Sequence, residues 1–97
     1  MPDGMDSEVA EETFEIVNEL GLHARAATKL VQLAGRFTSL IELSKDGQSA
    51  NAKSVMGVLL LCGARGTRVT VRARGADAAA AVAAIGKLIA ARFGEER

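Results

Sequence analysis

Three stretches of this 97-residue chain alternate apolar with polar side chains, and no other feature narrows the fold so far. Over Thr13–Asn18, Phe14 and Ile16 fall on one side and Thr13, Glu15 and Val17 on the other. Further on, Phe37, Ser39, Ile41 and Leu43 alternate with Thr38, Leu40, Glu42 and Ser44. Near the C-terminus, Val69, Val71 and Ala73 alternate with Arg68, Thr70, Arg72 and Arg74. A period of two predicts strands with one buried and one wet face. Asp46-Gly47 is a tight-turn signal, so the second strand is expected to return through Gln48–Asn51 as a hairpin. Wet faces on several strands point to an antiparallel sheet covered by helices on one side only.

The cover can be read from the remaining segments. Ala27, Leu30, Val31 and Ala34 recur at helical spacing, and Gly35 supplies a stop. Ser54 stands as an N-cap before Val55-Met56-Gly57-Val58-Leu59-Leu60-Leu61-Cys62, a run that fits one or two helical turns. Asp77 is expected to cap a last, Ala-rich helix whose buried stripe is Val82, Ile85, Ile89 and Phe93, closed by Gly94. Gly86 inside it costs about 1 kcal/mol relative to Ala. The order is βαββαβα, an α+β open-faced β-sandwich: a four-stranded antiparallel sheet with three helices on one face.

The length suits one domain. Residues 1–12 read as a flexible acidic leader, 13–94 as the folded domain and 95–97 as a tail. With three Phe and no Trp or Tyr, the core must be aliphatic, and stacking of nucleic-acid bases has almost no platform. The single Cys62 forms no internal disulfide and is expected buried in its apolar run, and one His with one Cys argues against a zinc site or any other metal site. No stretch reads as a secretion signal or a membrane span, so a cytoplasmic protein without membrane insertion is expected. Net charge is zero, but Asp3, Asp6, Glu8, Glu11, Glu12 and Glu15 precede every Lys and Arg, which leaves a basic body suited to an acidic or phosphorylated partner.

The only histidine follows a Gly turn and directly precedes the first helical pattern, in Gly21-Leu22-His23-Ala24-Arg25. A helix starting there aims its unpaired first-turn amides and positive dipole end toward the imidazole, which makes an anion site. Arg25 adds a planar cation able to meet phosphate oxygens in two places. An imidazole is nucleophilic around neutral pH and can attack a phosphoryl donor, and the product nitrogen–phosphorus bond suits onward transfer. A plain capping or carbonyl-satisfying role for His23 is the competing interpretation.

Gly21-Leu22-His23-Ala24-Arg25 before a helix, together with Lys53-Ser54-Val55-Met56-Gly57-Val58, resembles HPr, the histidine-containing phosphocarrier family of the phosphoenolpyruvate-dependent sugar phosphotransferase system. The resemblance covers about residues 13–94. It implies that His23 accepts a phosphoryl group from enzyme I on Nδ1 and passes it to an acceptor protein or domain of the system. Arg25 would steady the phosphorylated ring, and the backbone amides of Ala24 and Arg25 would bind the phosphate. By the same match Ser54 resembles a regulatory serine, modified in many bacteria by an HPr kinase/phosphorylase. Val55, Met56 and Leu59 resemble a partner-facing apolar patch. No cofactor is implied, since phosphoenolpyruvate is the indirect phosphoryl donor, and a monomeric carrier without enzymatic activity of its own is expected. The sequence departs from the family at Ala26, where Pro is frequent, at Cys62, where Gly is common, and at Leu20, where some members carry a small polar residue.

Three other functions compete. One is a carrier in a nitrogen-related or purely regulatory phosphorelay that moves no sugar. Another is an enzyme with His23 as general base, for which Arg25, Thr28 and Lys29 are the nearby helpers. The last is a nucleic-acid module built on Arg65, Arg68, Arg72 and Arg74.

Overall fold

The computed structural model describes residues 8–97. Its elements run β1 (Val9–Glu15), α1 (Ala24–Ala34), β2 (Leu40–Lys45), β3 (Gln48–Asn51), α2 (Val55–Leu60), β4 (Arg68–Arg74) and α3 (Ala78–Ala90). All pairings are antiparallel and the sheet order is β1-β4-β2-β3, so the expected α+β open-faced sandwich is the observed one. Asp46 and Gly47 both take positive φ, 50° and 82°, the geometry of a tight turn whose twist matches the flanking strands.

The core lies between sheet and helices. Ile41, Leu43, Val69, Val71 and Ala73 from the strands meet Ala27, Leu30, Ala34, Val58, Val82, Ile85 and Ile89, all buried. Gly86 is explained by contact: a Cβ there would run into the Phe14 ring, so the glycine lets α3 lie close on β1. The propensity lost in the helix is offset by that approach.

Several boundaries differ from expectation. The leader expected over residues 1–12 lies outside the described residues as far as residue 7, but residues 9–12 are strand, and β1 ends at Glu15 instead of reaching Asn18. Apolar periodicity is faint there because the edge strand carries its acids opposite arginines: Glu11 registers with Arg72 and Glu15 with Arg68. Glu11 and Arg72 approach to 3.8 Å, and Glu42 flanks Arg72 from the other side. Two of the four arginines that a nucleic-acid module would use, Arg68 and Arg72, therefore face acids across the strands.

The second strand starts at Leu40 instead of Phe37, because Asp77 takes the backbone amides before it. Its carboxylate accepts from Thr38 N at 2.8 Å and Ser39 N at 2.9 Å, and from both hydroxyls. Asp77 is therefore at the N-cap position of α3 but does not cap it with its side chain. The Ser39 hydroxyl foremost, with the Thr38 amide, holds this carboxyl at about 2 against an ordinary 3.8, although desolvation opposes them.

Two further positions differ from expectation. α3 stops at Ala90 and not at Gly94: Arg92, Phe93 and Gly94 take φ of 59°, 55° and 79°, a left-handed turn that swings the Phe93 ring fully into the core. Burying that ring contributes about 1.5–3 kcal/mol, and Lys29 Nζ donates to Phe93 O at 2.6 Å. Cys62 is exposed, contrary to expectation. α2 ends at Leu60 with Leu61 as its C-cap, and Cys62 takes the left-handed position after it at φ 53°, so its side chain leaves the apolar face.

Candidate functional site

Backbone geometry delivers His23. Gly21 turns at φ 65°, and a Cβ there would sit 2.5 Å from Gly63 O, so no other residue fits this turn without moving the chain. Leu22 N then donates to Gly63 O at 2.9 Å, tying the turn to the segment after α2. His23 follows in extended conformation as N-cap of α1, and Ala27 N donates to its carbonyl at 2.8 Å. Its side chain makes no capping bond. The first-turn amides of Ala24 and Arg25, which have no acceptor within a helix, are left uncapped by the imidazole.

The ring is held from the opposite end of the chain. His23 Nε2 and Glu95 Oε2 are hydrogen-bonded, with the His side chain 28 % and the Glu side chain 14 % exposed. Glu95 Oε1 accepts from Asn18 Nδ2 at 2.9 Å, and Asn18, wholly buried, also donates to Gly21 O at 2.9 Å. Partial burial is the largest influence on the Glu95 carboxyl and pushes it up. The hydrogen bonds from Asn18 and His23, with the charges of His23 and Arg25, outweigh it and hold the group below its ordinary 4.5. Glu95 is thus ionised near neutral pH. A neutral imidazole bonded this way donates its Nε2–H, and the lone pair is on Nδ1. Among the described residues no hydrogen bond engages Nδ1.

Arg25 is exposed on the first turn and close enough for its charge to act on Glu95. Leu20, His23, Ala24, Arg25, Glu95 and Arg97 line one open depression. The structure therefore brings His23, Ala24 and Arg25 together as expected. Ser54 lies apart, as N-cap of α2, with its hydroxyl accepting from Gly57 N at 3.1 Å. Of the expected partner patch, Met56 is 66 % exposed, Val55 borders on exposure and Leu59 is half-buried. Leu60 and Leu20, at 69 % and 68 %, are exposed apolar side chains outside the expected patch. The helpers named for a general-base enzyme are otherwise engaged: Thr28 Oγ1 donates to Ala24 O at 2.8 Å and Lys29 to Phe93 O.

Asn18 and Glu95 were not singled out either. Asn just ahead of a Gly turn is a turn signal that could have marked the first. Glu95, assigned to a tail, had no local signal, because the left-handed turn at 92–94 is what carries it 72 positions back to the histidine. Among the described residues, no group of three or more His, Cys, Asp and Glu could hold a metal ion, and no helix is long and apolar enough to cross a membrane.

An open-faced sandwich with a histidine at an uncapped helix start is the class of domain that the structure defines, and comparison with known proteins gives its family. The family model described as "PTS HPr component phosphorylation site" matches residues 10–91. The phosphocarrier protein HPr of Cupriavidus necator is 50 % identical over 80 residues, covering 82 % of this chain and 90 % of that one. HPr of Xylella fastidiosa is 45 % identical over 86 residues, covering 89 % and 97 %. The crystal structure of HPr-C-His from Thermoanaerobacter tengcongensis superposes with a TM-score of 0.88 at 44 % identity, covering 91 % and 99 %. The chain belongs to the HPr family, the phosphocarriers of the phosphotransferase system.

Proposed function

We propose that His23 takes a phosphoryl group from phosphorylated enzyme I and hands it to acceptor proteins or domains of the phosphotransferase system. The observation that carries this reading is the imbalance of the imidazole: Nε2 is bonded to Glu95 while Nδ1 is unengaged among the described residues, beside a helix start that its own side chain does not cap. The Nδ1 lone pair attacks phosphorus, the new nitrogen–phosphorus bond forms as the bond to the donor breaks, and the leaving electron pair stays with the donor. The ring becomes cationic while Nε2 keeps its proton, and the ionised Glu95 beside it offsets that charge. The amides of Ala24 and Arg25 and the Arg25 guanidinium meet the phosphate oxygens. The next acceptor attacks the same phosphorus, and the ring returns neutral. This route uses no metal or organic cofactor, and phosphoenolpyruvate enters only through enzyme I.

Ser54 is the second modification site in this reading. Val55 and Met56 follow it directly and are exposed, Leu60 is exposed at the far end of α2, and Lys53 is turned to Phe37 O at 2.7 Å. A phosphate of about two negative charges there would oppose docking of an acidic partner. An HPr kinase/phosphorylase is its proposed agent.

The test is to mix the purified protein with phosphoenolpyruvate and cognate enzyme I and to record intact mass before and after brief acid treatment. One acid-labile phosphoryl group, absent from His23→Ala, is expected. No transfer to folded wild-type protein by a competent enzyme I would overturn the reading. The Ser54 arm uses kinase and ATP: an acid-stable phosphate that disappears in Ser54→Ala supports it, and none on the wild type rejects it.

A further inference from the structure

We infer that Asn18 is a positioning residue for phosphoryl acceptance, acting through Glu95 on the His23 ring; the inference rests on the function proposed above. Asn18 is entirely buried although its side chain is polar. Its amide nitrogen faces two oxygens, Gly21 O and Glu95 Oε1, both at 2.9 Å. Reversing the amide would set oxygen against both acceptors, so its orientation is determined. Its own oxygen has no partner among the described residues, so the side chain's bonds to protein run through those two donors. One donor fixes the turn that delivers His23, and the other fixes the carboxylate that holds the ring.

Without Asn18 the carboxylate would keep only one of these two side-chain bonds, its contact with His23. The segment that brings Glu95 there is anchored elsewhere by Lys29 to Phe93 O and by Glu19 N to Arg97 O at 3.0 Å. Those bonds bring the chain end close but do not set the angle of the carboxylate. Asn18 does, and Glu95 in turn sets the rotation of the imidazole plane about its Nε2–H bond. This resembles the logic by which a third group orients a catalytic base. Aspartate cannot substitute, because it would face Glu95 with a second negative charge and would lack the donors.

The alternative is that Asn18 only shapes its turn, since its backbone carbonyl also accepts from Gly21 N at 3.2 Å. A double-mutant cycle separates the two. Asn18→Ala, Asn18→Asp, Glu95→Ala and the double variant Asn18→Ala with Glu95→Ala are assayed for phosphoryl acceptance from enzyme I, with folding checked by circular dichroism. Each single variant is expected to lose about tenfold in kcat with KM for the carrier nearly unchanged, because ring placement and not docking is altered. The double variant is expected to be no slower than Glu95→Ala alone. An undiminished Asn18→Ala effect in the Glu95→Ala background would overturn the proposal.

A second readout uses no enzyme I. The Nε2–H proton of unphosphorylated wild type should give a downfield NMR signal protected from exchange, lost in Glu95→Ala and in folded Asn18→Asp. Retention of that signal in Asn18→Asp would also overturn the proposal. Because this measurement is made without phosphoryl transfer, it still reports on Asn18 if His23 proves not to be the acceptor.

Discussion

Two helices in this protein begin beside a residue suited to carry phosphate, and they begin in opposite ways. At α2, Ser54 Oγ turns inward and accepts from Gly57 N, so the hydroxyl is spent on the fold. At α1, His23 makes no such bond, and its ring is drawn away to Glu95. The first helix start is held by its neighbours: the Gly21 turn, Leu22 on Gly63 O, Asn18 and the C-terminal turn. The second is held by its own cap. A helix start stabilised from outside can leave its amides for a ligand, whereas one stabilised from within has already used part of its capacity.

Perturbing each start should expose this difference, and the largest effect is expected at α1. Arg25→Ala should slow phosphoryl acceptance by about 10²-fold, the loss expected for one preorganised donor to a charged group in transfer, while thermal stability scarcely changes because the side chain is exposed and makes no hydrogen bond or ion pair among the described residues. Stopped-flow or quench-flow transfer from enzyme I, paired with thermal melting, checks both halves. Ser54→Ala reverses the pattern: stability falls by about 1 kcal/mol for a lost N-cap, and the rate at His23 stays close to wild type. Denaturant unfolding followed by the same transfer assay decides it.

Acid should distinguish the two starts as well. Glu95 is held below its ordinary 4.5 in the folded protein, so at any pH above that value its contribution to stability is complete. As pH falls below 4.5 and through the depressed folded value, the carboxyl takes up a proton and the contribution is lost. Amide NMR during an acid titration from pH 4.5 downward should show the surroundings of Glu95 responding to its protonation, while those of Ser54, whose cap does not ionise, do not. Glu95→Gln should remove that response. The smallest expected effect lies at the far end of α2, where Cys62 occupies a left-handed position: Cys62→Gly should stabilise by about 0.5 kcal/mol, the strain relieved less the added chain entropy, measurable as a small rise in the denaturant midpoint.

Much of this was legible in sequence, for identifiable reasons. Alternation in β2 and β4, the Asp46-Gly47 turn and the Ser54 cap are local signals, and each led to the element observed. His23 was legible as the candidate acceptor because a Gly turn, a lone His and a helical stripe are contiguous. What escaped depends on the rest of the fold. Residues 9–12 join the sheet through the arginines they face on β4 more than through any pattern of their own. Asp77 reads as a cap but is claimed by Thr38 and Ser39, which chain topology brings beside it. Cys62 reads as core because its neighbours are apolar, yet the end of α2 turns it outward. Glu95 reads as tail because nothing near it announces a left-handed turn built on Arg92 and Phe93, residues that rarely take positive φ.

The central claim concerns one nitrogen atom, and phosphorus-coupled NMR on protein carrying nitrogen-labelled histidine tests it most directly. After phosphorylation by enzyme I, the coupling should appear on Nδ1 of His23, with Nε2 still protonated and bonded to Glu95. Coupling on Nε2, or a phosphoryl group on any other residue, would contradict the account.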